Sequence, residues 1–435
     1  MKTALTLFLA LLLASCVSTP PPPSWHALEP SAFDHPLPLA ECLSLARSND
    51  VRAAQWEARL AAARAGLSSA QAFPNPTVSL EWEGIGLHDA EGVSIESQKT
   101  IVSYPVFFWW PRAYKVAAAE AGREAEAAGV HLEQRQLTAE IGVAWIGLVA
   151  GQRRVRIATD LLATGRESLR LARKGMDLGI RSAYDVERAE AEVLKAEGDL
   201  AASEGELRRD QLSFAFALGA GRPCFPRVMD TEEAGAVRPG ALGDAETPPE
   251  ELLSLALAAD PEWAKAKALV DAAEAELHVE QLAVIPLADV QGSGGTKRDG
   301  DGRASFATGE FPVPLLNWNG AGIEKAKAAL LAARTEEEKA RRAVVAFLCL
   351  DWERVRSAVR NWASFAHPLS EKLTKVESSA RKLFDAGQIG YAELLQAQRD
   401  LKEAQRSEAD AWREASVARW TIESALGRHD AGAQP

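Results

Sequence analysis

Between Thr77 and Leu87 the chain alternates: Val78, Leu80 and Trp82 fall on one side, Thr77, Ser79, Glu81 and Glu83 on the other. Period-two alternation predicts a strand placed between two different surroundings. A turn region at His88–Gly92 leads to a second run, 93–103, that alternates less cleanly. In the other half of the chain, 287–295 and 303–312 flank Lys297-Arg298-Asp299-Gly300-Asp301-Gly302, a turn carrying two Asp-Gly pairs. Each run has around ten residues, close to the ~9–11 that cross a bilayer at a tilt.

Elsewhere the period changes to that of a helix. Leu137, Ile141, Trp145 and Leu148, and again Leu348, Trp352, Val355 and Val359, follow three-four spacing. Short helices are expected at 39–48 and 250–259, each followed by a helix starting at Asp50 or Asp260. Asp260-Pro261 combines a capping carboxylate with a proline suited to the first helical position. Phe73-Pro74-Asn75-Pro76 and Ile285-Pro286 should stop these helices near Ala72 and Ala283. After the strands, uninterrupted helix is expected from about Arg112 to Leu178 and from about Gly320 to Ala386. At ~1.5 Å per residue each would be a rod of about 100 Å. Return helices follow at 183–218 and 391–426, beyond Gly179 and Gly387. Placed end to end, helices 51–72 and 183–218 would nearly match the rod beside them.

The order of elements occurs twice, because the sequence does. CLSLARSND (42–50) returns as LLSLALAAD (252–260), RKGMDLGIRSAYDV (173–186) as RKLFDAGQIGYAEL (381–394), and Ala217-Leu218-Gly219 as Ala425-Leu426-Gly427. A unit of about 180 residues used twice suits a wall better than a single pocket, and oligomerisation would complete it. The chain divides into an N-terminal segment (1–38), a first repeat (39–219), a linker (220–249) rich in Gly, Pro, Ala and Glu, a second repeat (250–427) and a tail (428–435).

Residues 1–15 have the form of a secretory signal peptide, Lys2 followed by an apolar run from Ala4 to Ala14. The run closes on Leu13-Ala14-Ser15-Cys16, which resembles a bacterial lipobox; Cys16 would then be the mature N-terminus and the lipid-attachment site, palmitate among its acyl chains. By resemblance to lipoproteins of enteric bacteria, Val17 after the cysteine suits sorting to the outer membrane. Four consecutive prolines within Thr19–Ser24 make 16–38 a stiff lipidated tether. Beyond residue 15 no apolar run approaches the ~20 residues of a membrane helix. A net charge of −12 without a basic block argues against nucleic acid. Cys42, Cys224 and Cys349 are odd in number and form no disulfide framework; Cys349, in an apolar stripe, is expected in the core.

The lipobox, the duplicated helix–hairpin–helix unit, the proline-bracketed strands and the long helices together resemble the TolC family of outer-membrane efflux proteins over 39–427. Three motifs carry the resemblance: Phe73-Pro74-Asn75-Pro76; the junction Phe311-Pro312-Val313-Pro314-Leu315-Leu316-Asn317-Trp318-Asn319-Gly320; and a Gly-x-x-x-x-x-Asp-Val pattern at Gly179…Asp185-Val186, departing to Glu-Leu at Gly387…Glu393-Leu394. The resemblance implies a mainly α fold with a small β part. In it, a long α-helical barrel continues into a homotrimeric transmembrane β-barrel of 12 strands, four from each chain. It also implies a passive exit duct through the outer membrane and periplasm, joined to a periplasmic adaptor and an inner-membrane efflux pump. The junction at 311–320 looks most like members serving heavy-metal export. Alternatives are a protein-secretion exit duct, or a periplasmic adaptor or structural lipoprotein.

No catalytic constellation, metal-ligand spacing or cofactor motif emerges from the scattered histidines 26, 35, 88, 131, 278, 367 and 429. The chain is therefore not expected to be an enzyme. By resemblance, Glu393 takes the acidic gate position at the second tip, with Gln396 where a second acid is often found, and Asp185 as the counterpart at the first tip. Glu393 and Asp185 would serve equally as helix caps. Gly179, Asp185, Val186, Gly387, Glu393 and Leu394 mark the candidate adaptor-docking tip. Trp109-Trp110-Pro111, at a strand-to-helix junction, is either an interfacial aromatic belt or packing at the joint.

Overall fold

The computed structural model describes residues 27–88, 92–179, 181–230, 249–299 and 302–428. The signal segment, Cys16, the proline tether and most of the linker lie outside the described residues.

The first copy contains α1 (Leu39–Asn49), α2 (Arg52–Gln71), β1 (Thr77–His88), β2 (Gly92–Pro105), α3 (Arg112–Asp177) and α4 (Ala183–Ala217). The second contains α5 (Pro249–Ala259), α6 (Pro261–Leu282), β3 (Gln291–Asp299), β4 (Gly302–Glu310), α7 (Gly320–Asn361), α8 (His367–Asp385) and α9 (Tyr391–Ala425). Local chemistry explains the boundaries. Asp260 Oδ1 accepts the Trp263 N–H at 2.8 Å and caps α6. Asp50 accepts the Arg52 N–H at 2.7 Å just ahead of α2. Gly219 ends the first copy at φ 95°, and a Cβ there would meet Asn49 at 3.1 Å, so α4 abuts the α1–α2 joint end to end.

The four strands form one antiparallel sheet in the order β1-β2-β3-β4. Its register sets Val78 opposite Val102 and Leu80 opposite Thr100. It also sets Thr100 opposite Thr296 and Thr296 opposite Ser305. The third strand begins at Gln291 rather than at 287. Leu287–Asp289 forms a 3-10 turn after Pro286, with Val290 N–H on the Leu287 carbonyl at 3.2 Å.

The two long rods differ. α3 runs unbroken for 66 residues. The expectation of an equally continuous second rod is wrong: α7 ends at Asn361, a π-helical turn occupies Trp362–Ala366, and α8 resumes at His367. Pro368 is the cause. It has no N–H for the carbonyl of Ser364 and its ring crowds that oxygen, so the backbone widens to a longer pattern in which the His367 N–H meets the Trp362 carbonyl.

The main core lies in the first copy. Trp145, Ile146, Val149 and Phe214 pack with Leu37 and Phe33 from the N-terminal segment and Val228 from the linker. Trp145 Nε1 donates to the Leu37 carbonyl at 3.2 Å, and Gln152 grips Val228 through both backbone groups. A second cluster joins Leu252, Leu348, Val355, Val359 and Ile422. Cys349 is exposed, contrary to the core expectation. Leu348 and Asp351 point inward, and one residue's ~100° rotation carries Cys349 off that stripe.

Candidate functional site

Two places stand out at the ends of the rods: the paired hairpin tips and, at the opposite end, the sheet. At the first tip α3 ends in Gly179 at φ 72°; at the second α8 ends in Gly387 at φ 71°. In each, a left-handed residue that only glycine adopts without strain releases the chain into its return helix.

The return helices start alike. Ser182 N–H and Oγ both donate to Asp185 Oδ2, at 3.1 and 2.9 Å, and Asp185 N–H returns a bond to Ser182 Oγ. That closes a capping box. The Ser182 backbone and side-chain donors hold the Asp185 carboxyl below the usual range. Glu393 Oε2 accepts the Gly390 N–H at 3.0 Å in the same position. Both acids are therefore first-turn caps in matching places. Gln396 donates to Asp400 Oδ1 at 2.7 Å, so an acid does stand one turn further along.

Val186 and Leu394 do not form an exposed docking surface, because both are buried. With Ala172, Ala189, Phe384, Tyr391 and Leu395 they make the apolar seam that holds the two hairpins side by side. Arg181 crosses that seam, its guanidinium 4.2 Å from the Phe384 ring centroid and 5.8 Å from that of Tyr391. Burial, reinforced by the Glu192 charge, raises the Tyr391 hydroxyl to about 12. Above the seam, Arg399 pairs with Glu192, and Lys402 and Arg406 converge on Asp199. Burial pushes the Asp199 carboxyl up, but the Lys402 hydrogen bond and the surrounding cations outweigh it and leave it lowered. Sequence spacing identified none of these bridging residues. Their signal is opposite charge at matching depth on the two return helices, visible only once those helices are known to be neighbours. Leu178, Tyr184 and Leu194 remain exposed apolar groups on the first hairpin.

At the other end, Trp110 Nε1 reaches the Leu282 carbonyl at 3.4 Å, while Trp109 is 53% exposed. The cluster thus both fastens the joint and presents an aromatic surface. Phe108 meets Phe73 edge to face at 5.5 Å, and Arg112 lies over Phe73. Asn319, at φ 56°, ties the second junction to α6 through the Glu280 carbonyl and carboxylate. On the sheet, the face of Val78, Leu80 and Trp82 is apolar on β1. The other face carries Glu81, Lys99 and Lys297 in one row. Among the described residues no group of three or more His, Cys, Asp or Glu could hold a metal ion, and no helix is long and apolar enough to cross a membrane.

Comparison with known proteins agrees with this architecture. Residues 43–220 and 252–428 each match the family model described as outer membrane efflux protein. The cobalt-zinc-cadmium resistance protein CzcC of Cupriavidus metallidurans is 23% identical over 398 residues, 90% of each chain. The nickel and cobalt resistance protein CnrC of the same organism is 29% identical over 318 residues, 73% of this chain and 71% of its own. Among solved structures, the open state of the Neisseria gonorrhoeae MtrE outer membrane channel superposes with a TM-score of 0.72 at 16% identity, covering 89% of this chain and 88% of that one. The chain belongs to the outer membrane efflux protein family.

Proposed function

We propose that this efflux channel works as a homotrimer whose sheets join edge to edge into a 12-stranded barrel, anchored by acylated Cys16, and whose helices continue as a periplasmic tunnel. The observation that carries this reading is the open sheet: β1 and β4 each pair on one side only. Unpaired strand edges are not tolerated in hydrocarbon, and closure with copies of the same sheet removes them. The tunnel conducts passively, with energy supplied by an inner-membrane pump through an adaptor docked on the hairpin tips near Gly179, Asp185, Gly387 and Glu393. The exposed Leu178, Tyr184 and Leu194 give that adaptor an apolar foothold. Divalent metal cations are the proposed cargo, supported by the resistance proteins it resembles.

Three copies of Glu393 would ring the closed mouth. Charges ~7 Å apart there repel by roughly 2 kcal/mol per pair at an effective dielectric of 20, and they attract cations. The experiment is conductance in planar bilayers. Purified protein should form pores that divalent cations block from the tip side, and Glu393→Gln should be blocked much less. Asp185→Asn, which removes the matching cap, controls for simple loosening of the tip. Absence of pores from folded protein would sink the channel reading; equal block in wild type and Glu393→Gln would remove Glu393 from the gate.

A further inference from the structure

The sheet register sorts its side chains into rows. On the face of Val78, the row nearest the helices runs Tyr104, Gly292, Gly309; the next runs Val78, Val102, Gly294, Ala307; the third runs Leu80, Thr100, Thr296, Ser305. None of these is charged, whereas the opposite face carries Glu81, Lys99 and Lys297. An uncharged outer face against a charged inner one is the pattern of a barrel wall in lipid. Val78, Leu80 and Val102 are accordingly exposed apolar groups.

The fourth row breaks the pattern: Trp82 pairs with Gln98, Gln98 with Arg298, and Arg298 with Arg303. Both arginines are exposed and flank the β3–β4 turn, the end of that hairpin away from the helices, while β1 and β2 continue past this row to His88 and Gly92. Arginine on a lipid face is costly at the bilayer midplane and far less so near its edge. The row therefore belongs at the outer edge, where Trp82 is also a favourable residue. Like charges directly opposite on adjacent strands repel. Among the residues whose side chains the structure describes, neither guanidinium meets a carboxylate. An anion seated between the two would relieve the repulsion and use the planar donors of both.

We propose that Arg298 and Arg303 form a binding site for the phosphate of an outer-leaflet lipid headgroup. A lipid is favoured over free phosphate because its acyl chains would lie along the uncharged rows beneath the arginines. The proposal rests on reading the sheet as a membrane barrel wall.

Native mass spectrometry of the detergent-solubilised full-length assembly tests it, with bis-phosphorylated lipid A and fully dephosphorylated lipid A as probes. Wild type should retain the phosphorylated form selectively, and Arg298→Ala/Arg303→Ala should retain it about tenfold less, as expected on losing charge-assisted contacts. Arg298→Lys/Arg303→Lys should recover part of the loss. Equal retention of the two lipids by wild type overturns the site, and needs no variant to fold. Displacement of lipid A by equimolar inorganic phosphate would show a phosphate site rather than a lipid site and overturns it too. Protein that forms pores but ignores the phosphate refutes only this site; protein that forms none refutes the channel itself.

Discussion

The long rods of the two copies occupy equivalent places in the duplicated unit, yet their surroundings differ. α3 is clamped along its middle by the N-terminal segment, the linker and α9. Trp145 and Ile146 are wholly buried, and Gly142 is overlaid by the Trp420 indole. The α7–α8 rod carries Leu331, Phe347 and Leu350 exposed and is broken by a π-helical turn. Duplication supplied the same helix twice, and only one copy acquired a belt. The first rod is therefore the more enclosed of the two, and the second keeps exposed apolar surface and a local break in its helix.

The largest expected effect would break this contrast if it failed. Trp145→Ala empties a fully enclosed site and leaves the Leu37 carbonyl with only its bond from the Met229 N–H, at a cost of about 3–5 kcal/mol. Trp352→Ala, in the corresponding stretch of the second rod, removes a half-buried ring under Arg356 and should cost about 1 kcal/mol. Denaturant unfolding measures both. Equal losses would mean that the rods are equally fixed.

Next in size is Gly142→Ala. Its methyl would run into the Trp420 indole, and overpacking of this kind costs about 1–3 kcal/mol. Gly142→Ala combined with Trp420→Leu should cost less than the two single changes summed, a coupling that unfolding of all three variants would show. Strict additivity would mean that α9 does not clamp α3 at this point.

Much of this architecture is legible in the chain, and the exceptions have physical reasons. Three-four spacing marks the helices because each buries one stripe, and alternation marks β1 because its two faces meet different surroundings. Pro368 escapes attention because the apolar spacing continues on both sides of it and a π-helical turn absorbs the misfit. Cys349 illustrates phase: an apolar residue next to Leu348 is not on Leu348's face. At the tips, glycine and acid positions reveal turn and cap. The bridge of Arg181 over Phe384 and Tyr391 depends on which hairpins are neighbours, and no local pattern records that.

Pro368→Ala sharpens the contrast from the other side. Restoring the missing N–H lets the second rod approach the continuity of the first. An interior proline costs about 3 kcal/mol in an unadapted helix, but the π-helical turn has already relieved much of that, so a gain of about 1 kcal/mol is expected. His367 should keep its contact with Glu408, at 2.6 Å, since α9 holds that partner. Amide exchange across 362–368 should slow in Pro368→Ala, while exchange in α3 stays as it was. Unchanged exchange would show that α9, rather than the proline, imposes the π-helical turn.

The smallest effect concerns the place where the copies are most alike. Asp185 and Glu393 each cap the return helix, but Asp185 takes two bonds from Ser182, whereas Glu393 takes one from the Gly390 backbone. Asp185→Asn should cost about 0.5–1 kcal/mol of local helix stability, and Glu393→Gln less. Acid supplies an independent check. Because the folded Asp185 carboxyl is lowered, its contribution is complete above the ordinary aspartate value, near pH ~4, and is lost as pH falls through the folded value. Exchange of the amides at 182–186 should therefore quicken on acidification beyond its intrinsic pH dependence in wild type, and show no such extra change in Asp185→Asn. If both proteins respond alike, the acid-sensitive group at the first tip is not Asp185, and the two tips differ in more than their caps.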